Sequence, residues 1–341
     1  MDDGIIHTSD FYIDHTGQSD SGPGLQAFLN AIVDTKKRGW IDPGIIDCKG
    51  CDVYLNSTGT RDGLGVNGLR VEGSSRNQSR VVNARLHVGD QNNLTSGASG
   101  KLTFASFSIE GQLNLYNCES TPILQDMTIF PSAIDGFYAG IDTILVQLIY
   151  CNHPLLVGVR IENGIDVSAE ADGIRFSGCN NATWIGGGVS KCRQGIAFEH
   201  HPRFGGGVCR MAKLDGLHLE RNRLESILLD EVSNAMVRCH VRGSPPKNGD
   251  PGWDTTRALI KLLGKAEMVT LDLYCVGVSH DKGTAVQVND CNHVYIRGTF
   301  EDFETAVEIA NNVTYNIGTI NASRVGQPLS ISPGAVRTDH W

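Results

Sequence analysis

The sequence lacks the features that mark several common protein classes. Only 11 of its 341 residues are proline and 40% are hydrophobic, a balance that excludes a collagen-like or disordered chain. The net charge is −9 and no block of basic residues occurs, so nucleic acid is not an expected partner. No apolar run approaches the roughly 18 residues of a membrane-spanning helix, and we expect no insertion into a membrane.

Segments that would indicate a metal, a cofactor or secretion are missing as well. The N-terminus has neither a basic nor an apolar region, so no secretory signal is predicted. Cys48 and Cys51 form a single CxxC pair without the second pair of a zinc site, and no EF-hand-like spacing is present. The glycine runs at 186–188 and 205–207 lack the residues of a phosphate-binding loop. We expect no metal and no cofactor, and mostly buried, reduced cysteines.

Glycine, by contrast, is abundant, with 40 residues, and much of it separates short strand-like segments. From about residue 66 onward a triplet with apolar first and third residues recurs, and the first residues of six such triplets lie 22, 31, 33, 26 and 21 positions apart. The triplets are Ile174-Arg175-Phe176, Ile196-Ala197-Phe198, Ile227-Leu228-Leu229, Ile260-Lys261-Leu262, Val286-Gln287-Val288 and Val307-Glu308-Ile309. A base period near 22 residues with occasional insertions predicts a parallel solenoid that adds one coil per repeat.

A second strand-like segment follows each triplet, such as Leu217-His218-Leu219-Glu220, in which apolar and polar residues alternate. The turn between the two repeatedly reads Cys-Asn, and asparagine tolerates the left-handed backbone of a tight corner. An antiparallel sandwich also has many short strands, but it is not expected to repeat a composite unit of this length. The sequence therefore predicts an all-β protein, a single-stranded parallel β-helix of about eleven coils.

The N-terminal segment differs in kind, because its apolar residues follow the period of a helix. The residues on the apolar face are Leu25, Phe28, Leu29, Ile32 and Val33. The helix should stop at Gly39 and should cover the open end of the solenoid core. We therefore expect an N-terminal segment with a capping helix at 1–45, a parallel β-helix at 46–322 and a C-terminal tail or cap at 323–341.

The loop at 14–21, the helix and the turn at 42–44 together resemble the start of pectate-lyase-like right-handed parallel β-helix proteins. In that family a loop rich in Asp, Gly and Thr leads into a capping helix and then into a strand with a Pro-x-Gly-like turn. Here Asp42-Pro43-Gly44 lacks the intervening residue, and the usual aspartate pair is kept only as Asp20-Ser21. The same segment opens the receptor-binding part of many bacteriophage tailspikes, which are trimers that bind and often cleave bacterial surface polysaccharide. The resemblance thus implies a right-handed β-helix of the tailspike subgroup.

Hydrolysis of a glycosidic bond needs two carboxyl groups, one on each side of the bond. The segment 214–222 carries the richest set of outward polar residues, with Asp215 followed by His218 and Glu220. We expect Asp215 and Glu220 to supply the acid and the base. Glu199 is the expected substitute for either carboxylate.

Two insertions flank this segment and are expected to contact the substrate. Arg203 lies in the first insertion and, with His218, would contact an acidic sugar. Trp253 and Asp254 lie in the second insertion at 244–257, where the Trp ring would stack on a sugar face or, alternatively, pack on the solenoid or a neighbouring subunit. Arg242 and Tyr274 complete the expected set of substrate-binding residues.

Other interpretations of the outward residues stay open. They can form solvated ladders, in which His218 stacks over His240, Tyr274 and Thr299 on successive coils, and Glu220 over Arg242. A lyase would instead place a base near the C5 proton of a uronate and a cation near its carboxylate. The residues available on this face for elimination are Arg238, Arg242, His240 and Tyr274.

The sequence as a whole predicts a tailspike-type receptor-binding protein, located on the virion tail outside the cell. It should bind bacterial capsule, O-antigen or exopolysaccharide, form a homotrimer and attach to phage tail proteins. Cleavage of the polysaccharide by a pair of carboxyl groups is expected, but the sequence leaves enzymatic activity open. The alternatives are a non-catalytic adhesin or virion structural protein of the same fold, and a secreted polysaccharide lyase.

Overall fold

The computed structural model describes residues 4–56, 59, 68–92, 101–138, 143–164, 170–199, 207–230, 232–243, 258–264, 266–277, 283–289 and 291–338. These residues fall into two compact units, 1–171 and 172–341. In both units the described strands pair with one another in parallel, as a β-helix requires.

The first unit contains a 3₁₀ turn at Thr8–Asp10, helix α1 (Gly22–Thr35) and short strands stacked in rows. Its described strands are β1 (Ile5–His7), β2 (Arg38–Ile41), β3 (Gly44–Asp47), β4 (Asp52–Leu55), β5 (Leu69–Gly73), β6 (Ser79–Val88), β7 (Leu102–Ala105), β8 (Ser108–Tyr116), β9 (Pro122–Gln125), β10 (Thr128–Phe130), β11 (Ile144–Ile149), β12 (Leu155–Val157) and β13 (Arg160–Glu162). One row runs through β1, β2, β5, β7, β9 and β12. Strands β6 and β8 are long enough to belong to two further rows. The first of these rows runs through β3, β6, β8, β10 and β13. The second runs through β4, β6, β8 and β11.

The second unit consists of strands alone in its described part. They are β14 (Asp172–Ser177), β15 (Thr183–Ile185), β16 (Gly188–Ser190), β17 (Ile196–Phe198), β18 (Cys209–Arg210), β19 (Lys213–Glu220), β20 (Ile227–Leu229), β21 (Val232–Ser233), β22 (Met236–Arg242), β23 (Ala258–Leu262), β24 (Glu267–Val276), β25 (Thr284–Val288), β26 (Asn292–Glu301), β27 (Thr305–Ile309), β28 (Thr314–Ser323), β29 (Gln327–Ile331) and β30 (Val336–Arg337). Strands β14, β17, β20, β23, β25, β27 and β29 form one row. The long strands β19, β22, β24, β26 and β28 form a second row, which ends on β30.

The six triplets predicted from the sequence pair in register with one another. Ile174 lies opposite Ile196, which lies opposite Ile227, and the same alignment continues to the last triplet. The outer residues of each triplet point into the core, where Phe176 stacks on Phe198 with centroids 4.6 Å apart and planes 7° apart. The predicted fold class, an all-β parallel β-helix with one helix near the N-terminus, is therefore confirmed.

Helix α1 lies where the sequence predicted it, with Pro23 in its first turn and its five expected apolar residues buried. It ends at Thr35 and not at Gly39, because Lys36 adopts the left-handed backbone with φ of 58°. Gly39 lies in β2 instead, where a Cβ atom would come within 2.9 Å of the Phe28 ring. The glycine therefore permits close packing of the helix on the strand and does not terminate the helix.

A single carboxylate holds the loop that precedes α1. Asp14 accepts hydrogen bonds from the hydroxyl and backbone N–H of Thr16 and from the backbone N–H of Gln18 and Ser19. These donors, the Thr16 hydroxyl first, hold the pKa of Asp14 well below its ordinary value. The Asp- and Thr-rich segment on which the family resemblance rests thus has a structural role.

The ten cysteines are thiols outside any disulfide bond, and nine of the ten are buried, as the sequence predicted. Burial raises the pKa of Cys48 to about 12, so this thiol stays protonated. Parallel pairing continues through β29 and β30, inside the segment expected to be a C-terminal tail or cap. The three-part division at residues 45 and 322 stays a prediction.

Candidate functional site

A row of aromatic rings crosses three neighbouring long strands of the second unit. His218 on β19, His240 on β22 and Tyr274 on β24 occupy equivalent positions, and Thr299 follows on β26. The ring centroids of His218 and His240 are 4.7 Å apart, and those of His240 and Tyr274 are 4.9 Å apart. The order predicted from the sequence is thus confirmed, but the rings do not stack in parallel: the planes of His218 and His240 are 84° apart and those of His240 and Tyr274 are 47° apart. We call His218, His240 and Tyr274 the ring row.

The ring row lines an open groove of about 360 Å³. Arg238 and Asp272 line the other part of the groove. The two parts meet at Gly216, where the pairing of β19 with β22 shifts by one residue. Gly216 has φ of +67°, a backbone conformation that residues with a side chain rarely adopt. This irregularity is a β-bulge, and the residues of β19 that follow it form a second outward row. The side chain of His218 is 53% exposed and Tyr274 is 41% exposed, so a ligand can reach the rings.

Charged side chains of alternating sign form the neighbouring row. Asp215, Arg238, Asp272 and Arg297 lie at equivalent positions on β19, β22, β24 and β26. The Arg238 Nε donates to Asp215 at 2.7 Å, and the Arg297 Nη2 donates to Asp272 at 2.7 Å. We call these four residues the charge row. The hydrogen bond from Arg238 is the main cause that lowers the pKa of Asp215.

A third outward position also carries paired groups. The carboxylate of Glu220 lies 3.1 Å from Nε of Arg221, 3.4 Å from Nε2 of His218 and 3.7 Å from Nη1 of Arg242, the residue opposite it in register. The Tyr274 hydroxyl donates to Glu301 at 3.0 Å, which raises the pKa of the phenol. Both sides of the ring row are therefore bordered by partnered polar groups.

The structure brings Asp215 and Glu220 onto one strand, on either side of His218, as the sequence indicated. Both carboxylates have cationic partners, and the lowered pKa of Asp215 keeps that group ionised. A general acid must carry a proton when the glycosidic oxygen leaves. The arrangement thus supplies anchoring charges for a bound ligand more readily than an acid and base pair.

Glu199, the expected substitute carboxylate, has its partners on a different row of strands. It follows β17, and its carboxylate lies 2.6 Å from Nε of Arg175 on β14. Its backbone carbonyl accepts a hydrogen bond from the Ser177 hydroxyl at 2.6 Å. Burial raises its pKa above the ordinary value, although Arg175 opposes the shift. Within the described part of the chain, Glu199 therefore pairs with Arg175 and Ser177, which lie on a different row of strands from the ring row.

Three of the expected substrate-binding residues, Arg203, Trp253 and Asp254, lie outside the described residues. Sequence reasoning missed Asp272 and Arg297, although their outward positions two residues from Tyr274 and Thr299 follow from strand alternation. Within the described ranges, no cluster of three or more His, Cys, Asp or Glu side chains could hold a metal ion. In the same part of the chain, no helix is long and apolar enough to cross a membrane.

We expect the stability of the second unit to depend on pH through His240 of the ring row. Burial is the main cause that lowers the pKa of His240, and the neighbouring His218 and Arg242 lower it further against the opposing effect of Glu220. An unfolded histidine has a pKa near 6.5, so below about pH 6.5 the unfolded chain binds more protons and the folded state loses stability. In the variant His240→Gln, thermal unfolding followed by circular dichroism should show a smaller loss of stability between about pH 7 and pH 5 than in the wild-type protein. An equal loss in both proteins would contradict this assignment.

No protein-family model matches the chain, and no curated protein matches its sequence. Solved structures do match. The surface adhesin PfbA of Streptococcus pneumoniae gives a TM-score of 0.64 at 10% identity and covers 98% of this chain and 100% of its own. DFA-IIIase from Arthrobacter chlorophenolicus A6, in complex with GF2, gives 0.54 at 10% identity, with 98% and 93% covered. The tailspike protein gp49 of Pseudomonas phage LKA1 gives 0.53 at 11% identity, with 97% and 79% covered.

These likenesses define the class of the protein, a right-handed parallel β-helix. The same fold serves a surface adhesin, carbohydrate-active enzymes and phage tailspikes. At such low identities the shared fold does not carry a function over to this chain.

Proposed function

We propose that the protein binds a polysaccharide chain of a bacterial surface along the ring row. The observation that carries the proposal is the row of three rings in contact on successive coils, of which His218 and Tyr274 are exposed to an open groove. Sugar residues have apolar C–H faces that pack on such rings, while polar groups at the margins bind their hydroxyls. Coils repeat at about 4.8 Å, close to the length of one pyranose unit, so each ring can contact one sugar of an extended chain.

The biological setting that we propose is a tailspike-type receptor-binding protein. The segment at 14–44 resembles the start of tailspike receptor-binding regions, and a phage tailspike shares the fold. In this setting the protein acts outside the cell on the virion tail, as a homotrimer joined to other tail proteins. A non-catalytic surface adhesin is the alternative, favoured by the likeness to PfbA. Light scattering of the purified protein should give three times the monomer mass in the tailspike case.

Binding can be tested with purified bacterial capsules and O-antigens immobilised on biosensor surfaces. The wild-type protein should bind at least one polymer, and the double variant His218→Ala, Tyr274→Ala should lose that binding. Gln287→Ala is a matched control, because Gln287 is also an outward residue of the second unit but lies on β25 and pairs with Glu308. Equal loss in the control, or unchanged binding in the double variant, would refute the site.

Cleavage by Asp215 and Glu220 is the second candidate function, because both carboxylates border the ring row. A reducing-end assay on the bound polymer tests whether the protein cleaves that polymer. If reducing ends are released, Asp215→Asn and Glu220→Gln should each lower the rate by about a hundredfold or more. Because both groups are paired with cations, we expect binding to persist without release. Elimination is less favoured, because Nε2 of His240 is buried and so cannot reach the C5 proton of a sugar in the groove.

A further inference from the structure

We propose that the ligand of the ring row is a neutral polysaccharide and not a polyanion. This inference rests on the proposed binding of a polysaccharide at the ring row and narrows the class of polymer. Its basis is that the charges around the ring row are already paired with one another inside the protein.

The pairing is visible in the charge row and in the position beyond the rings. Arg238 is held by Asp215 at 2.7 Å, and Arg297 is held by Asp272 at the same distance. Arg242 lies 3.7 Å from Glu220 on the other side of the ring row. Arg238 and Arg297 are thus each neutralised by a carboxylate of the charge row, which presents no excess positive charge to the groove, whereas Arg242 shares the carboxylate of Glu220 with Arg221.

The four strands that build the site have no cationic excess either. Strands β19, β22, β24 and β26 together carry four Lys or Arg and five Asp or Glu side chains. The whole chain has a net charge of −9, which repels a polyanion at long range. A sugar carboxylate in the groove would therefore compete with Asp215 and Asp272 for their arginines and would lie close to both of these anions.

A neutral sugar meets a better environment in the same groove. Its C–H faces can pack on the rings, and its hydroxyl groups can donate to the carboxylates and accept from the guanidinium groups that border them. The row continues past Tyr274 with Thr299 and then Asn321, two uncharged hydrogen-bonding residues. This conclusion differs from the expectation, drawn from the sequence, that His218 contacts an acidic sugar.

The test compares polymers that differ only in charge. Uronate-containing capsule polysaccharides are prepared in native and carboxyl-reduced form, and neutral O-antigens are included as a third set. Dissociation constants for wild type, Tyr274→Ala and Gln287→Ala are measured from about 0.05 to 0.5 M NaCl, a range over which electrostatic attraction is progressively screened. We expect the affinity for neutral or carboxyl-reduced polymer to exceed the affinity for the native acidic form by at least about tenfold. The affinity for the neutral polymers should change less than about twofold over this range of salt concentration.

The outcomes separate the two proposals. Preferred binding of native acidic polymer, weakened by salt and lost in Tyr274→Ala, would overturn the neutral ligand and leave binding at the ring row intact. Binding that Tyr274→Ala does not weaken, or no binding to any polymer, would overturn the ring row as the site and the neutral ligand with it. The third outcome is a preference for the neutral polymers that disappears in Tyr274→Ala and persists in Gln287→Ala. This outcome supports both the ring row as the site and the neutral ligand.

Discussion

Phe198→Ala is expected to lower the free energy of unfolding of the second unit by about 3–5 kcal/mol. Phe198 is fully buried in β17, stacks on Phe176 at 4.6 Å and is followed in the row by Leu229 of β20. Alanine would remove the ring and leave a cavity that the flanking coils cannot close, because their backbones are held by parallel hydrogen bonds on both sides. In a solenoid each coil is stabilised by its neighbours, so the loss should weaken the coils of Phe176 and Leu229 as well.

Urea unfolding monitored by circular dichroism measures this effect, and Phe198→Leu is the matched control. Leucine keeps most of the apolar volume and should cost less than about 1.5 kcal/mol. Similar losses for alanine and leucine would mean that the flat stack of rings, and not buried volume, stabilises this position. A loss below about 1 kcal/mol for alanine would contradict the close packing of the coil interior.

The repeat of apolar residues carried enough information to predict this packing. Inward residues of a β-helix lie over their equivalents in the next coil, so spacing alone aligned Phe176 with Phe198 and Ile196 with Ile227. The order of His218, His240, Tyr274 and Thr299 was predictable for the same reason, since outward residues follow the register of the inward ones. The end of α1 was not predictable from Gly39, because that glycine serves packing against the helix.

The charges of the site were harder to anticipate because they depend on contacts between coils. Asp215 and Glu220 look like a catalytic pair along the chain, yet each meets an arginine from the following long strand. The bulge at Gly216 decides this pairing, since it sets which residues of β22 lie opposite those of β19 on each side of the bend. Periodicity identifies outward positions, but it does not show which outward charges neutralise one another.

Tyr274→Ala is expected to weaken polysaccharide binding by about tenfold or more, and the double variant with His218→Ala by about a hundredfold or more. Tyr274 is one of the two exposed ends of the ring row, and its ring contacts that of His240 with centroids 4.9 Å apart. Its loss removes a flat surface for one sugar and frees the neighbouring imidazole to tilt, so the chain loses contact at two coils. Biosensor measurement with the polymer identified for the wild-type protein gives the ratio of dissociation constants.

Tyr274→Phe separates the ring from its hydroxyl group, which donates to Glu301 at 3.0 Å. If stacking on the ring dominates, the phenylalanine variant should bind within about threefold of wild type, because it keeps the flat surface. If Tyr274→Phe binds as poorly as Tyr274→Ala, the hydrogen bond to Glu301 orients the site, and sugar stacking at this coil is refuted. Equal thermal stability of the variants, expected for an exposed side chain, ensures that the comparison reports on binding and not on folding.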